Sequence, residues 1–145
     1  MAVRAGIRHI LFAVRPEEEV NSIDEYLKSL KPIPSPYLVK GKLSASAKRG
    51  QKIFSNANCD SCHKGPLHTD LQQHNVGTGD GLDKDRKFDT PSLVEVWRTA
   101  PYLYDGRAAT IEEVLAIYNP DNKHGTTSNL SLKEFEDLAN FVLSQ

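Results

Sequence analysis

An all-α fold with unusually long loops is what this sequence of 145 residues predicts, and three observations carry it. Apolar residues recur at helical spacing in separate segments, most of them opened by a capping residue. Residues 64–90 show no period at all and are rich in Gly and Asp. A loop of that length usually serves function or packs around a ligand. The only two cysteines fall in Cys59-Asp60-Ser61-Cys62-His63, and C-x-x-C-H reads as a covalent c-type haem attachment site. Two thiols at this spacing can each form a thioether to a haem vinyl group, and the adjacent imidazole then lies under the iron as proximal ligand.

Other readings of the five residues need other surroundings. A redox-active C-x-x-C needs a βαβ setting, and nothing here alternates like strands. A zinc site would recruit Cys59, Cys62 and two of His63, His68 and His74. The apolar share of 39% is slightly low for a globular chain, which suits a core partly filled by porphyrin. A formal net charge of -1 gives no reason to expect nucleic acid or an anionic membrane surface as partner. With both cysteines on one haem, no structural disulfide remains. Such attachment is completed outside the cytoplasm, so a periplasmic or otherwise extracytoplasmic location is expected. The first nine residues lack the apolar run and cleavage site of an export signal, and no stretch approaches the roughly 18 apolar residues of a membrane span. The chain is therefore expected to be a piece of a longer exported protein.

Taken in order, residues 1–15 are mixed apolar and basic. Pro16 and Glu17 to Glu19 look like a helix start, with acidic groups opposing the positive end of the dipole, and Val20, Ile23, Leu27 and Leu30 share one face. Pro32, Pro34 and Pro36 then favour extended geometry, so residues 31–43 read as a semi-rigid linker. A helix capped at Ser44 follows, with Ala47, Gly50, Ile53 and Phe54 on its apolar face. A mid-helix Gly costs roughly 1 kcal/mol relative to Ala, which close approach of a second helix would justify. The partner is expected at the other end of the chain, where Ser131 and Glu134 form a capping box before the stripe Phe135, Leu138, Phe141 and Val142. Thr110 and Glu113 form a second box, ahead of a helix carrying Val114, Leu115, Ile117 and Tyr118 and ended by Asn119-Pro120. Asp80, Asp83 and Asp85 do not follow the order of an EF-hand loop.

The stretches Phe88-Asp89-Thr90-Pro91-Ser92-Leu93 and Arg98-Thr99-Ala100-Pro101-Tyr102-Leu103-Tyr104-Asp105-Gly106-Arg107, continuing through Thr110-Ile111-Glu112-Glu113-Val114, carry a resemblance. Together with C-x-x-C-H they resemble the C-terminal haem domain of the bacterial dihaem cytochrome c peroxidases and their MauG-like relatives, which mature a tryptophan-derived quinone cofactor. The resemblance covers residues 44–145 and implies a class I-like cytochrome c domain with long loops around one covalent haem c. Residues 1–30 resemble the closing helix of a preceding haem domain, so a remnant of an upstream domain is expected there. In the family the N-terminal haem meets peroxide and the C-terminal haem relays electrons. A single-electron relay to redox protein partners is thus the expected function. The enzymatic alternative is part of a dihaem peroxidase or peroxidase-like oxidase, dependent on the first haem domain.

The distal iron ligand has two candidates. Met1 is the only methionine and would need a long reach, while the family position for a ligand after the Thr-x-x-Glu box falls on Tyr118, where quinone-maturing relatives carry a tyrosine. His124 competes from the next loop, and neutral imidazole binds haem iron more readily than a phenol. Either partner would give a lower potential than His/Met ligation. Arg98 and Arg107 are candidates to pair with haem propionates, His68 and His74 are placed in the loop or on the propionate side, His9 reads as an ordinary histidine and Trp97 as core. The family also holds Ca2+ between its domains through carbonyls near Thr-x-Pro, here Thr99 and Pro101.

Overall fold

Capping chemistry decides where the helices begin. A computed structural model describes residues 2–145. Among them are five helices, α1 (Ala2–His9), α2 (Glu17–Ser29), α3 (Ala45–Asn56), α4 (Ile111–Ala116) and α5 (Leu132–Val142), with two-residue strands β1 (Gln73–His74) and β2 (Phe88–Asp89). Ser44 accepts from Ala47 N at 3.0 Å and opens α3. At α5 the capping box is complete, Ser131 taking the Glu134 N–H while the Glu134 carboxylate accepts from Ser131 N at 2.8 Å. At α4 only half the expected box forms. Thr110 accepts from Glu113 N at 3.1 Å, but the Glu113 carboxylate takes the Ala109 N–H instead.

The chain divides into two compact units, Met1–Pro32 and Ile33–Gln145. In the first, the Arg4 guanidinium of α1 reaches Glu17, Asn21 and Asp24, each at 2.6 Å. One fork of donors thus ties two helices that have little apolar surface to share. No residue of α2 is buried, and Ile10, Leu11, Phe12 and Val14 lie exposed between the helices.

In the second unit the Pro-rich segment is docked. Ser35 is buried and its hydroxyl donates to Leu143 O at 2.5 Å, while Ile33 N donates to Glu95 at 2.6 Å. Helices α3 and α5 cross at Gly50, as the sequence pattern implies. A Cβ on Gly50 would collide with Asp137 O and lie 2.8 Å from Phe141 Cβ. Around this crossing Ala47, Phe54, Leu138, Ala139, Phe141 and Val142 form the core, with Trp97 packed against it. The Phe54 and Phe141 rings meet edge-on at 5.1 Å, a favoured aromatic geometry. Asp137, 2% exposed, takes two bonds from Arg49 at 2.6 and 2.7 Å and one from Ser46 at 2.6 Å.

The region 64–90 is not wholly irregular. β1 pairs antiparallel with β2, Gln73 opposite Asp89 and His74 opposite Phe88. Bridges also join Val39 to Lys42 and Tyr102 to Ala108. The fold is therefore helical with a few strand pairs rather than purely α. Helix α1, which no period announces, is the other addition.

Two outcomes follow from the crossing. In an isolated helix Gly50→Ala would gain about 1 kcal/mol, but here overpacking, at about 1–3 kcal/mol or more, is expected to win, and a urea titration should show a lower midpoint. The Arg49 guanidinium holds the Asp137 carboxyl well below the usual carboxylate range despite its burial. A carboxyl depressed on folding contributes stability that is present above its ordinary value of 3.8 and lost as pH falls toward its folded value. Asp137→Asn should therefore flatten the acid limb of the stability curve below about pH 4. An acid limb identical to that of the parent chain would show that the pair contributes nothing.

Candidate haem site

The end of α3 delivers the cysteines. Ala57 closes the helix and Asn58, at φ +63°, turns the chain into a single 3₁₀ turn over Cys59–Ser61. His63 N donates to Cys59 O at 2.9 Å and Ser61 Oγ to Asn58 O at 2.8 Å, so Cys59, Cys62 and His63 are presented by one tight bend. His63 Nδ1 lies 3.0 Å from His68 O. A carbonyl only accepts, so Nδ1 carries the proton and Nε2 keeps its lone pair. That is the tautomer a metal-binding imidazole uses when its other nitrogen is held from behind. Burial lowers the His63 pKa, which keeps the ring neutral.

These residues form part of the wall of a cavity of about 520 Å³, inside the roughly 300–1,000 Å³ range of cofactor sites. Leu93, Val96, Ile111, Val114, Leu115, Leu138 and Val142 also line it and are buried. His124 also lines it, and its ring lies near that of His63, with centroids 6.2 Å apart and planes inclined at 34°. Metal–imidazole bonds are about 2 Å long, so two imidazoles sharing one metal would sit at about this spacing. Burial, with a smaller contribution from the His63 charge, pushes His124 down to about 4, so it too is a neutral donor. Its Nδ1 is buried and has no hydrogen-bond partner. An apolar chamber, two thiols and two neutral imidazoles fit a covalently held haem.

The other candidates are placed differently. Tyr118 does not line the cavity, and its hydroxyl donates to Arg107 O at 3.1 Å. Arg98 pairs with Glu95 at 2.7 Å, and Arg107 pairs with Asp105 while donating to Tyr104 Oη at 3.1 Å. Neither guanidinium is in the cavity wall. Thr99, Pro101 and His74 are in it. His74 Nε2 lies 2.8 Å from Asp70, whose carboxyl is brought down to about 2 despite burial by the Gln72 N–H and by His74. Among the described residues, the donors close enough together for a metal ion are Cys62, Asp70 and His74, so the four-ligand zinc set built on both cysteines is not assembled. Asp83 is spent on Arg86 at 3.0 Å and Asp80 on Gly81 N at 2.7 Å. His9 is exposed.

Two features escaped the sequence pattern. Phe88 and Tyr104, which both line the cavity, stack at 4.4 Å. Asn119, marked in the sequence only as a helix stop before Pro120, bonds the backbone of the His124 loop.

The cytochrome c family profile matches residues 47–145, and the chain belongs to that family. A cytochrome c domain binds haem and carries electrons. Among its relatives are the hydrazine synthase subunit gamma of Kuenenia stuttgartiensis, 29% identical over 81% of this chain and 46% of that protein. The cytochrome-c peroxidase IdrP1 of Denitromonas iodatirespirans is 33% identical over 71% of this chain and 41% of its own length. The methylamine utilization protein MauG of Methylorubrum extorquens is 31% identical over 65% and 31%. These relatives support a place beside the C-terminal haem domains of the dihaem peroxidase and MauG-like proteins. The chain spans less than half the length of each. In three dimensions it is similar to Kuenenia stuttgartiensis hydrazine synthase, with a TM-score of 0.72 at 28% identity over 83% of this chain and 52% of that one. A MauG-like protein associated with microbial copper homeostasis superposes with a TM-score of 0.57 at 25% identity, over 72% and 48%. Among the described residues no helix is long and apolar enough to cross a membrane.

Burial, and then the nearby Asp60 charge, push the Cys59 thiol up to about 11, the reverse of a nucleophilic dithiol. In haem-free protein, alkylation of Cys59 is therefore expected to be slow near neutrality and to accelerate as pH rises toward about 11. A fast reaction at pH 7 would revive the dithiol reading.

Proposed function

We propose that this chain is a one-haem electron relay in which Cys59 and Cys62 hold the porphyrin, His63 is the proximal ligand and His124 the distal one. The observation that carries it is the pair of neutral imidazoles in the wall of the apolar cavity, their ring centroids 6.2 Å apart. Haem bound there supplies one-electron ferric/ferrous chemistry. His68 O holds the His63 ring with its ligating nitrogen free, and the buried aliphatic residues give the porphyrin an apolar wall to lie against. With His124 as distal ligand the iron would keep no open position for a substrate. Tyr118, its hydroxyl turned to Arg107 O, takes no part. The proposed setting is extracytoplasmic, with redox proteins as donor and acceptor and a further haem domain upstream of residues 1–30.

A second reading, part of a peroxidase or peroxidase-like oxidase, is favoured by the names of two relatives, a cytochrome-c peroxidase and MauG. Visible spectra of the haem-loaded chain separate the two. The relay predicts one haem c by pyridine haemochrome and a six-coordinate low-spin spectrum in both oxidation states. His124→Ala should then turn the ferric form high-spin and let the ferrous form bind CO, and Tyr118→Phe should change neither. A parent spectrum that is already high-spin and alters on adding peroxide would sink the relay in favour of the enzyme.

A further inference from the structure

A metal-binding histidine is ordinarily oriented through its second ring nitrogen. His63 has such a bond, from Nδ1 to His68 O at 3.0 Å. His124 has none, since its Nδ1 is buried without a partner. The direction of the His124 ring is therefore set by its packing and its backbone. Asn122 accepts from Thr127 N and Ser128 N further along the loop, while the backbone groups of His124 and Gly125 themselves are held by one side chain. Asn119 is buried at 4% exposure. Its Oδ1 accepts from His124 N at 2.8 Å. Its two amide hydrogens are shared among His124 O at 3.2 Å, Gly125 O at 2.8 Å and Thr127 Oγ1 at 2.8 Å. The Thr127 hydroxyl donates in turn to Leu115 O at 3.0 Å, which anchors the cluster to α4.

The opposite side of the loop is pressed onto the attachment bend. Thr126 N donates to Ala57 O at 2.9 Å. Gly125 has φ +82°, and a Cβ there would lie 3.1 Å from Ala57 O and 3.3 Å from Cys59 Sγ. The loop thus rests against the cysteine bend on one side and is tied by Asn119 on the other.

We infer that Asn119 is the positioning residue for the distal side of the haem, supplying through the His124 and Gly125 backbone the orientation that His63 obtains from its own ring. The inference rests on His124 being the distal ligand.

The test uses the haem-loaded chain. Asn119→Ala is expected to convert part of the ferric low-spin spectrum to high-spin and to raise CO affinity of the ferrous form about tenfold, the effect of losing roughly one net hydrogen bond of preorganisation. Thr127→Val removes two bonds of the same cluster, those to Asn119 and to Leu115 O, without touching the bonds from Asn119 to the His124 and Gly125 backbone, and is expected to lower the melting temperature while leaving spin state and CO binding as in the parent chain. An Asn119→Ala protein with a parent-like spectrum and parent-like CO affinity would overturn the inference. So would Thr127→Val opening the distal side equally, because the cluster would then act only through stability. Should Asn119→Ala fail to accumulate, Asn119→Asp decides, since it keeps the acceptor for His124 N and loses both donors. Weakened distal ligation supports the role, and an unchanged spectrum refutes it. A parent chain that is high-spin from the outset sinks the ligand assignment itself, a failure distinct from a low-spin parent with low-spin variants.

Discussion

The contact on which the second unit depends is the crossing of α3 and α5 at Gly50, where there is no room for a methyl group. Everything chemical hangs from the end of α3. Because Asn58 turns the chain immediately after that helix, the depth at which α3 sits against α5 sets where Cys59, Cys62 and His63 come to lie. The buried Asp137 reinforces the same crossing from α5, holding Arg49 and Ser46 of α3. A carboxylate that is 2% exposed is tolerable only because a guanidinium fork and a hydroxyl satisfy it, and both partners come from the helix it must keep in register.

The aliphatic wall of the cavity shows why an all-protein core would not suffice. Leu93, Val96, Ile111, Val114, Leu115, Leu138 and Val142 come from separate segments and converge on space that no side chain fills. Protein interiors are normally packed without such voids. A chamber of about 520 Å³ with thiols at its edge is coherent as the seat of a large apolar group, and the low apolar share of the sequence is coherent for the same reason. Attachment through two thioethers would make that group a permanent part of the core rather than a ligand in exchange with solvent.

Much of this was legible in the residues themselves. Ser44 and Ser131 announced the two helices and Gly50 their crossing, because capping and close approach each demand particular residues at particular spacings. What was not legible depends on partners distant in sequence. Tyr118 and His124 are both plausible donors as residue types, and only the fold reveals that the Tyr118 hydroxyl meets Arg107 O while the His124 ring meets His63. The β1–β2 ladder is two residues long on each side, too short to display alternation, and α1 is tied to α2 chiefly through Arg4 rather than by a stripe of its own. Glu113 illustrates a finer limit, since a correctly spaced capping box can still send its carboxylate one residue too far.

The two imidazoles of the cavity differ in how they are held, and the difference bears on what the fold can become. His63 is locked by the attachment bend and by a bond from its own ring, so its place cannot change without losing the cysteine geometry. His124 stands on a loop between two helices, with no bond to its ring, and loops are where families vary without disturbing their cores. Substituting or withdrawing this one residue would leave the cavity, its aliphatic wall and the proximal side intact, yet would convert a closed iron into an open one. Relay and reactive haem are therefore separated, on the proposed reading, by a single loop rather than by the fold. A cytochrome c domain similar both to a peroxidase and to a hydrazine synthase subunit is what that economy of change allows, since function resides in the site grafted onto a shared scaffold.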